Sequence, residues 1–307
     1  MKHTLKVTIT LLLFFFLAQF TGLLIVNQYI DHKKTAEKKE VVMKPLPYGL
    51  ERPEVKNQSI SFVYITIMIL TGTLLVLLLV KFQKPIIFKI WLFTGVWFSL
   101  SIAFAAFINH FIAAALALLI SVLKFYRHNI IIQNLSEVFV YGGLAAFVVN
   151  IFNLFAAFML LIVISVYDYV SVFKTKHMIR LAKFQSSSKV FAGLLIPYGD
   201  ENAIAKEVKA DVKVKPEIPE IRQKKSKVAV LGGGDIGFTL IFAGVVMKDL
   251  MLRETVLAGF LKALIIPSFA TFALLLLLIK GQQNKFYPAM PVLSLGCVVG
   301  YLVVWLI

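Results

Sequence analysis

The chain has a single cysteine, Cys297, among 307 residues, which excludes an intrachain disulfide and any cysteine-based metal cluster. Cys297 lies in an apolar run and is read as a packing residue. Charge is scarce as well: Asp, Glu, Lys and Arg make up 16% of the residues, against about 25% in ordinary soluble domains. Acidic groups are the scarcer half, 16 against 32 lysines and arginines, for a formal net charge of +16. In a soluble protein that excess would point to nucleic acid. Here the basic residues fall in the gaps between apolar runs and follow the ends of those runs, not a binding face, so no nucleic-acid partner is expected.

What is abundant is hydrocarbon. The hydrophobic fraction is 59%, with 27 phenylalanines, and the mean hydropathy is +0.85. A helix needs about 20 apolar residues to cross a bilayer. The first candidate span is Val7–Ile30, preceded by Lys2 and Lys6. Its apolar run is too long for the core of a signal peptide, and no small-x-small site closes it. A polar segment, Asp31–Ser59, carries Pro45, Pro47 and Pro53 and leads to a span over Ile60–Val80. Ile86–Leu123 is too long for one crossing and suits a helical hairpin with its corner at Asn109-His110. His110 is read as an interfacial turn residue, with ligand or proton carrier as the alternative. Leu135–Val149 and Phe152–Phe173 follow, then Val228–Met247, Val256–Ile279 and Tyr287–Ile307.

The expectation is therefore an all-α polytopic membrane protein of nine transmembrane helices. It divides into residues 1–173 with six spans, a basic cytoplasmic loop over 174–227, and residues 228–307 with three spans. The loop holds Ser186–Ser188, Pro197, Pro216 and Pro219 and reads as partly flexible. Its first part, through about Ala192, is expected to extend the sixth helix along the interface. Most lysines and arginines fall on one side if the N-terminus is cytoplasmic, so the C-terminus is placed outside. Lys262 falls within the eighth span, where pairing with Glu254 is favoured over a role in a site.

Two aspartates interrupt this pattern. Asp168 lies in LLIVISVYDYVSVF and Asp235 in KVAVLGGGDIGFTLIFAGVV. A carboxylate in hydrocarbon costs roughly 2.5–3.5 kcal/mol on insertion scales, so it marks a function. Counting along antiparallel helices from Lys174 and Lys227, both carboxyls lie on the order of 9–12 Å from the same boundary. Equal depth on sequential spans lets them face one another. Two facing carboxyls in low dielectric share one proton. One then draws a proton from water while the other donates to a carbonyl oxygen, which is peptide hydrolysis without a metal or other cofactor.

Gly232, Gly233 and Gly234 precede Asp235, and without Cβ atoms they permit close approach of a helix or a substrate strand. Tyr287-Pro288-Ala289-Met290-Pro291 breaks helical hydrogen bonding at membrane depth, which suits either an unwound substrate or a proline cap on the last helix.

At these residues the chain resembles the presenilin and signal-peptide-peptidase family of intramembrane aspartyl proteases. The markers are a Tyr-Asp pair in the sixth span, Gly-x-Gly-Asp in the seventh and Pro-Ala-Leu before the ninth. Here they read Tyr167-Asp168, Gly232-Gly233-Gly234-Asp235 and Pro288-Ala289-Met290, with methionine in place of the expected leucine. The resemblance implies that Asp168 and Asp235 are the catalytic pair, with Tyr167, Gly232, Gly233 and Gly234 in support. It further implies that Pro288, Ala289 and Met290 border the substrate. Substrates would be transmembrane helices, locally unwound and cut within the bilayer. The orientation looks presenilin-like, and the short extramembrane parts look like a compact prokaryotic-type homologue, a multi-pass protein of the cell membrane. Presenilins work in a multisubunit complex and can self-cleave in the long loop, so homo-oligomers and accessory subunits are further partners the resemblance admits.

Three other readings stand beside this one. Gly232, Gly234 and Gly237, with Glu254 beyond, match a dinucleotide-binding pattern after a β-like run, but the apolar spans that follow leave no room for a parallel sheet. Prepilin peptidases also use Gly-x-Gly-Asp, with a lysine soon after, where this chain has Ile236 and Gly237. A proton-coupled transporter would use the aspartates as a relay, and such proteins often show inverted repeats, which are not evident here.

Overall fold

A computed structural model of the chain describes residues 4–53, 55–127, 129–175, 177–178, 181, 184–185, 191–198, 227–281 and 287–307. Most of the basic loop, including Ser186–Ser188, Pro216 and Pro219, and the greater part of the expected interfacial extension lie outside the described residues.

The fold is a helical bundle. Helix α1 (Leu5–Gln28) leads to a short α2 (His32–Lys38), then α3 (Ser61–Lys81), α4 (Pro85–Ala105), α5 (His110–Arg127), α6 (Ile130–Val148) and α7 (Leu154–Tyr169). Strands β1 (Gly193–Tyr198) and β2 (Lys227–Gly232) precede α8 (Gly233–Arg253), α9 (Val256–Ala263), α10 (Ile265–Lys280) and α11 (Met290–Leu306).

Among the described residues, seven helical segments are long and apolar enough to cross a membrane: Leu5–Gln28, Gln58–Lys81, Pro85–Ala105, His110–Arg127, Ile130–Ile151, Leu154–Lys174 and Val256–Lys280. Helix α11 is equally apolar and has 17 residues. Helix α8 is long enough but carries Asp235, Lys248 and Asp249 within it.

Local chemistry sets the boundaries. Asn129 caps α6 by accepting from the Ile131 amide, and Asn153 caps α7 by accepting from Ala156. The α4–α5 corner lies where expected, with Asn109 Oδ1 accepting from Phe111 N–H at 2.9 Å. The eighth span is broken between α9 and α10 because Pro267 has no N–H to offer the Ala263 carbonyl one turn earlier.

The seventh span requires a correction. Residues 228–232 are not the start of a helix but part of β2, which pairs antiparallel with β1 from Gly193↔Gly232 to Tyr198↔Lys227. The protein is thus not purely α-helical, and the hairpin's first strand falls inside the segment read as loop. Lys-Val-Ala-Val-Leu alternates between faces: Ala229 and Leu231 are buried, whereas Val228 and Val230 are exposed.

Helix α8 forms the axis of the bundle. Every residue from Thr239 to Lys248 is buried, and α8 packs against α1, α6, α7, α9, α10 and α11. A helix covered on all sides is apolar all round, as Leu240–Met247 is. Its first turn, bearing Asp235, therefore inherits a rigid support. Cys297 is fully buried in the same core, as its apolar run suggested.

Candidate active site

Asp168 occupies the last turn of α7, where the helix widens into a π-turn over Val170–Lys174. Such turns recur at functional sites. Asp168 is 8% exposed. Its partner comes from the start of α11, where the Met290 amide donates to Asp168 Oδ2 at 3.0 Å. The Ala289 amide also interacts with this carboxylate. The first amides of a helix have no partner within it, and the helix dipole favours a negative group there. The Pro288-Ala289-Met290 segment thus delivers the open end of α11 to the carboxylate. Ser165, one turn before Asp168, fastens the same two helices through Ser294 Oγ at 2.8 Å.

Asp235 is the third residue of α8 and is partly buried. The amide of Gly232, the residue capping α8, interacts with its carboxylate, the reciprocal half of a capping box. A Cβ on Gly232 would stand 3.3 Å from Asp235 Oδ2, so glycine allows the carboxylate to fold back onto the backbone. The hairpin sets where this turn begins. Gly193 pairs with Gly232, and the Gly233 amide donates to the Ala192 carbonyl at 3.1 Å. Gly193 has φ +143° and lies so close to the Leu231 carbonyl that a Cβ would be 2.2 Å from it, so only glycine fits. From the other side, Gln19 on α1 donates to Ile236 O at 2.9 Å and to Thr239 Oγ1 at 2.7 Å.

Asp168 lies in the last turn of α7 and Asp235 in the first turn of α8, and these two helices pack against each other. Tyr167 points elsewhere: its hydroxyl meets Thr73 Oγ1 at 2.9 Å and His177 Nε2 at 3.1 Å, tying α3 to α7 and to the chain beyond the π-turn. Gly234 is exposed, leaving the surface beside Asp235 open. Lys262 pairs with Glu254 at 2.6 Å and donates to the Ile307 carbonyl at 3.2 Å, away from both aspartates. His110 lies at the α4–α5 corner against Tyr48, whose hydroxyl donates to its carbonyl at 2.7 Å. A cavity of about 800 Å³, lined by residues of the first loop with Asn150 and Ile151, lies at the far end of α6. Among the described residues no cluster of three or more His, Cys, Asp or Glu has a metal-binding arrangement.

One polar group beneath the site was not anticipated. Lys124 and Glu137 form a fully buried ion pair at 2.5 Å, and Tyr141 donates to the other oxygen of Glu137. Gln133 bridges Glu137 to the carbonyls of Phe191 and Gly193 at 2.9 and 3.0 Å, and Asn134 pairs with both backbone groups of Leu195. The available signal was Glu137 itself, a third carboxylate inside the expected span Leu135–Val149.

A mostly helical membrane bundle with one aspartate at the end of α7 and another at the start of α8, the first held by an amide of α11, has the architecture of a membrane aspartyl protease. The sequence model of the family described as signal-peptide peptidase, presenilin aspartyl protease matches residues 45–307, and the chain belongs to that family. Two crystal structures of a presenilin family intramembrane aspartate protease share the fold. One, in space group C222, is 19% identical with a TM-score of 0.57, covering 96% of this chain and 98% of the other. The second, in space group P2, is 17% identical with a TM-score of 0.58, covering 97% and 96%. A search of curated proteins finds no significant match. The protein is a multi-pass integral membrane aspartic endopeptidase.

Proposed function

We propose that Asp168 and Asp235 are the catalytic pair and that they hydrolyse peptide bonds within transmembrane helices of other proteins. The observation that carries this reading is their convergence. Each aspartate belongs to a family marker, Asp168 takes the Met290 amide, and the last turn of α7 and the first turn of α8 that bear the two belong to helices packed against each other.

Two carboxyls that face one another in low dielectric share one proton. The ionised member takes a proton from a water as its oxygen attacks the substrate carbonyl carbon. The protonated member gives its proton to the carbonyl oxygen, forming a neutral gem-diol. The carboxyl that took the water proton then gives it to the amide nitrogen while the other carboxylate takes a proton from a gem-diol hydroxyl, which breaks the C–N bond, releases a carboxylic acid and an amine, and leaves one proton on the pair. Met290 N–H and Gly232 N–H hold the carboxyls without contributing protons.

A substrate must be extended where it is cut. Strand β2 runs directly into Gly232-Gly233-Gly234-Asp235, and among the described residues it pairs only with β1. Val228 and Val230 on it are 45% and 49% exposed. Such an edge accepts an unwound segment by strand addition. Pro288, Ala289 and Met290 are buried and meet Asp168 through the Met290 amide, which fits a substrate seated between this segment and the hairpin. The distribution of basic residues supports nine crossings with the N-terminus cytoplasmic, counting α8 and α11 as spans. The prepilin-peptidase and transporter readings gain no support, since Ile236 and Gly237 stand where the former has its lysine.

The test is cleavage of a transmembrane-helix peptide by the purified protein in detergent. Asp168→Ala and Asp235→Ala should each abolish cleavage within the apolar stretch while leaving a folded protein, and the double variant should be no worse. Near wild-type cleavage by either single variant would sink the assignment.

A further inference from the structure

The family pattern leaves the second position of Gly-x-Gly-Asp free, yet here it is Gly233, and its side-chain space is occupied. A Cβ on Gly233 would lie 2.4 Å from the Tyr141 hydroxyl oxygen and 3.0 Å from Cε1 and Cζ of the ring. A Cβ on Gly237, one turn on, would lie 3.6 Å from Tyr141 Cδ1. The ring thus fills the side-chain space of Gly233 and reaches that of Gly237, the positions that flank Asp235 in the first turns of α8.

The ring is itself held. Its hydroxyl donates to one oxygen of Glu137, which is 1% exposed. The other oxygen of Glu137 accepts from Lys124 Nζ at 2.5 Å and Gln133 Nε2 at 3.1 Å. A carboxylate with a buried cation and two further donors has a single favourable arrangement, because each unmet bond in low dielectric is costly. Gln133 extends the same group to the hairpin that starts α8.

We propose that Tyr141 is the positioning residue for Asp235: a platform from α6, locked by the Lys124–Glu137 pair, whose presence requires glycine at position 233 in this chain. The proposal rests on reading Asp235 as catalytic. A displacement of about 1 Å in a catalytic group can cost on the order of 10²-fold in rate, so the platform acts on turnover and not on substrate affinity.

The experiment compares Tyr141→Phe, Gly233→Ala and the double variant in the full-length protein, reading kcat and KM for a transmembrane peptide and the thermal midpoint in detergent. Tyr141→Phe should lower kcat about tenfold with KM unchanged, and Gly233→Ala should lower it about 100-fold. The double variant should recover part of the Gly233→Ala loss, because phenylalanine lacks the oxygen that the new methyl would strike. A purely structural role would lower the midpoint without this split between kcat and KM. Wild-type kcat in Tyr141→Phe, or single-variant factors that simply multiply in the double, would overturn the proposal. If the wild type cleaves no peptide, the dyad reading falls instead. The contact is then still decided by the midpoints: a double variant more stable than the summed single shifts supports it, and additive shifts overturn it.

Discussion

The Met290 amide donates to Asp168 Oδ2 across 122 positions of sequence, joining the end of α7 to the beginning of α11. The bond comes from the backbone, so the residue's side chain matters for packing and its N–H for the site. That explains how methionine stands where the family pattern has leucine.

Met290→Leu should therefore retain cleavage. The side chain is 2% exposed, and a volume-conserving apolar swap there costs less than about 1.5 kcal/mol. Thermal unfolding and peptide cleavage measured together check this. A well-folded Met290→Leu protein with no activity would show that the side chain, not the amide, serves the site.

Much of this was legible because charge in hydrocarbon is rare. Asp168 and Asp235 stood out for that reason, and Asn109 marked a turn because it caps a helix. The hairpin was hidden: Val-Ala-Val-Leu suits a buried helix as well as a strand, and only its partner at Gly193–Tyr198, across the long loop, decides. Glu137 escaped notice because its cation, Lys124, lies on the preceding helix, 13 residues earlier, outside the helical spacings by which ion pairs are recognised. The π-turn after Asp168 and the turn of Tyr167 toward Thr73 depend on neighbouring helices, which local sequence does not encode.

The Lys124–Glu137 pair should be asymmetric to mutation. Lys124→Met leaves a buried carboxylate without its cation, which costs about 3–5 kcal/mol, whereas neutralising both members is far milder. Lys124→Met/Glu137→Gln should melt above Lys124→Met alone in detergent. A double variant that melts lower than the single would show that the charge on Glu137 is tolerated without its partner.

Lys248 is a different kind of buried lysine. It is 7% exposed and donates to the carbonyls of Val149, Asn150 and Phe152, where α6 ends and α7 has not begun. Lys248→Met keeps the apolar stem but strands those acceptors, a cost of about 1–3 kcal/mol. The thermal midpoint should fall while kcat per folded molecule is unchanged, since Asp235 lies at the other end of α8. A selective loss of kcat would instead link this end of the bundle to the chemistry.

Lys262 completes the contrast. Its pair with Glu254 is geometrically good at 2.6 Å, but the two side chains are 26% and 29% exposed. Ion pairs open to solvent contribute roughly 0–1 kcal/mol, because water screens the attraction and ordering two long side chains opposes it. Lys262→Met should therefore shift the midpoint far less than Lys248→Met, although both remove a lysine from a largely apolar helix. Cleavage should be unaffected, since neither Lys262 nor Glu254 approaches Asp168 or Asp235. The measurement is the pair of melting curves with peptide cleavage alongside. A Lys262→Met protein that stays folded but no longer cleaves would return this lysine to the list of functional groups.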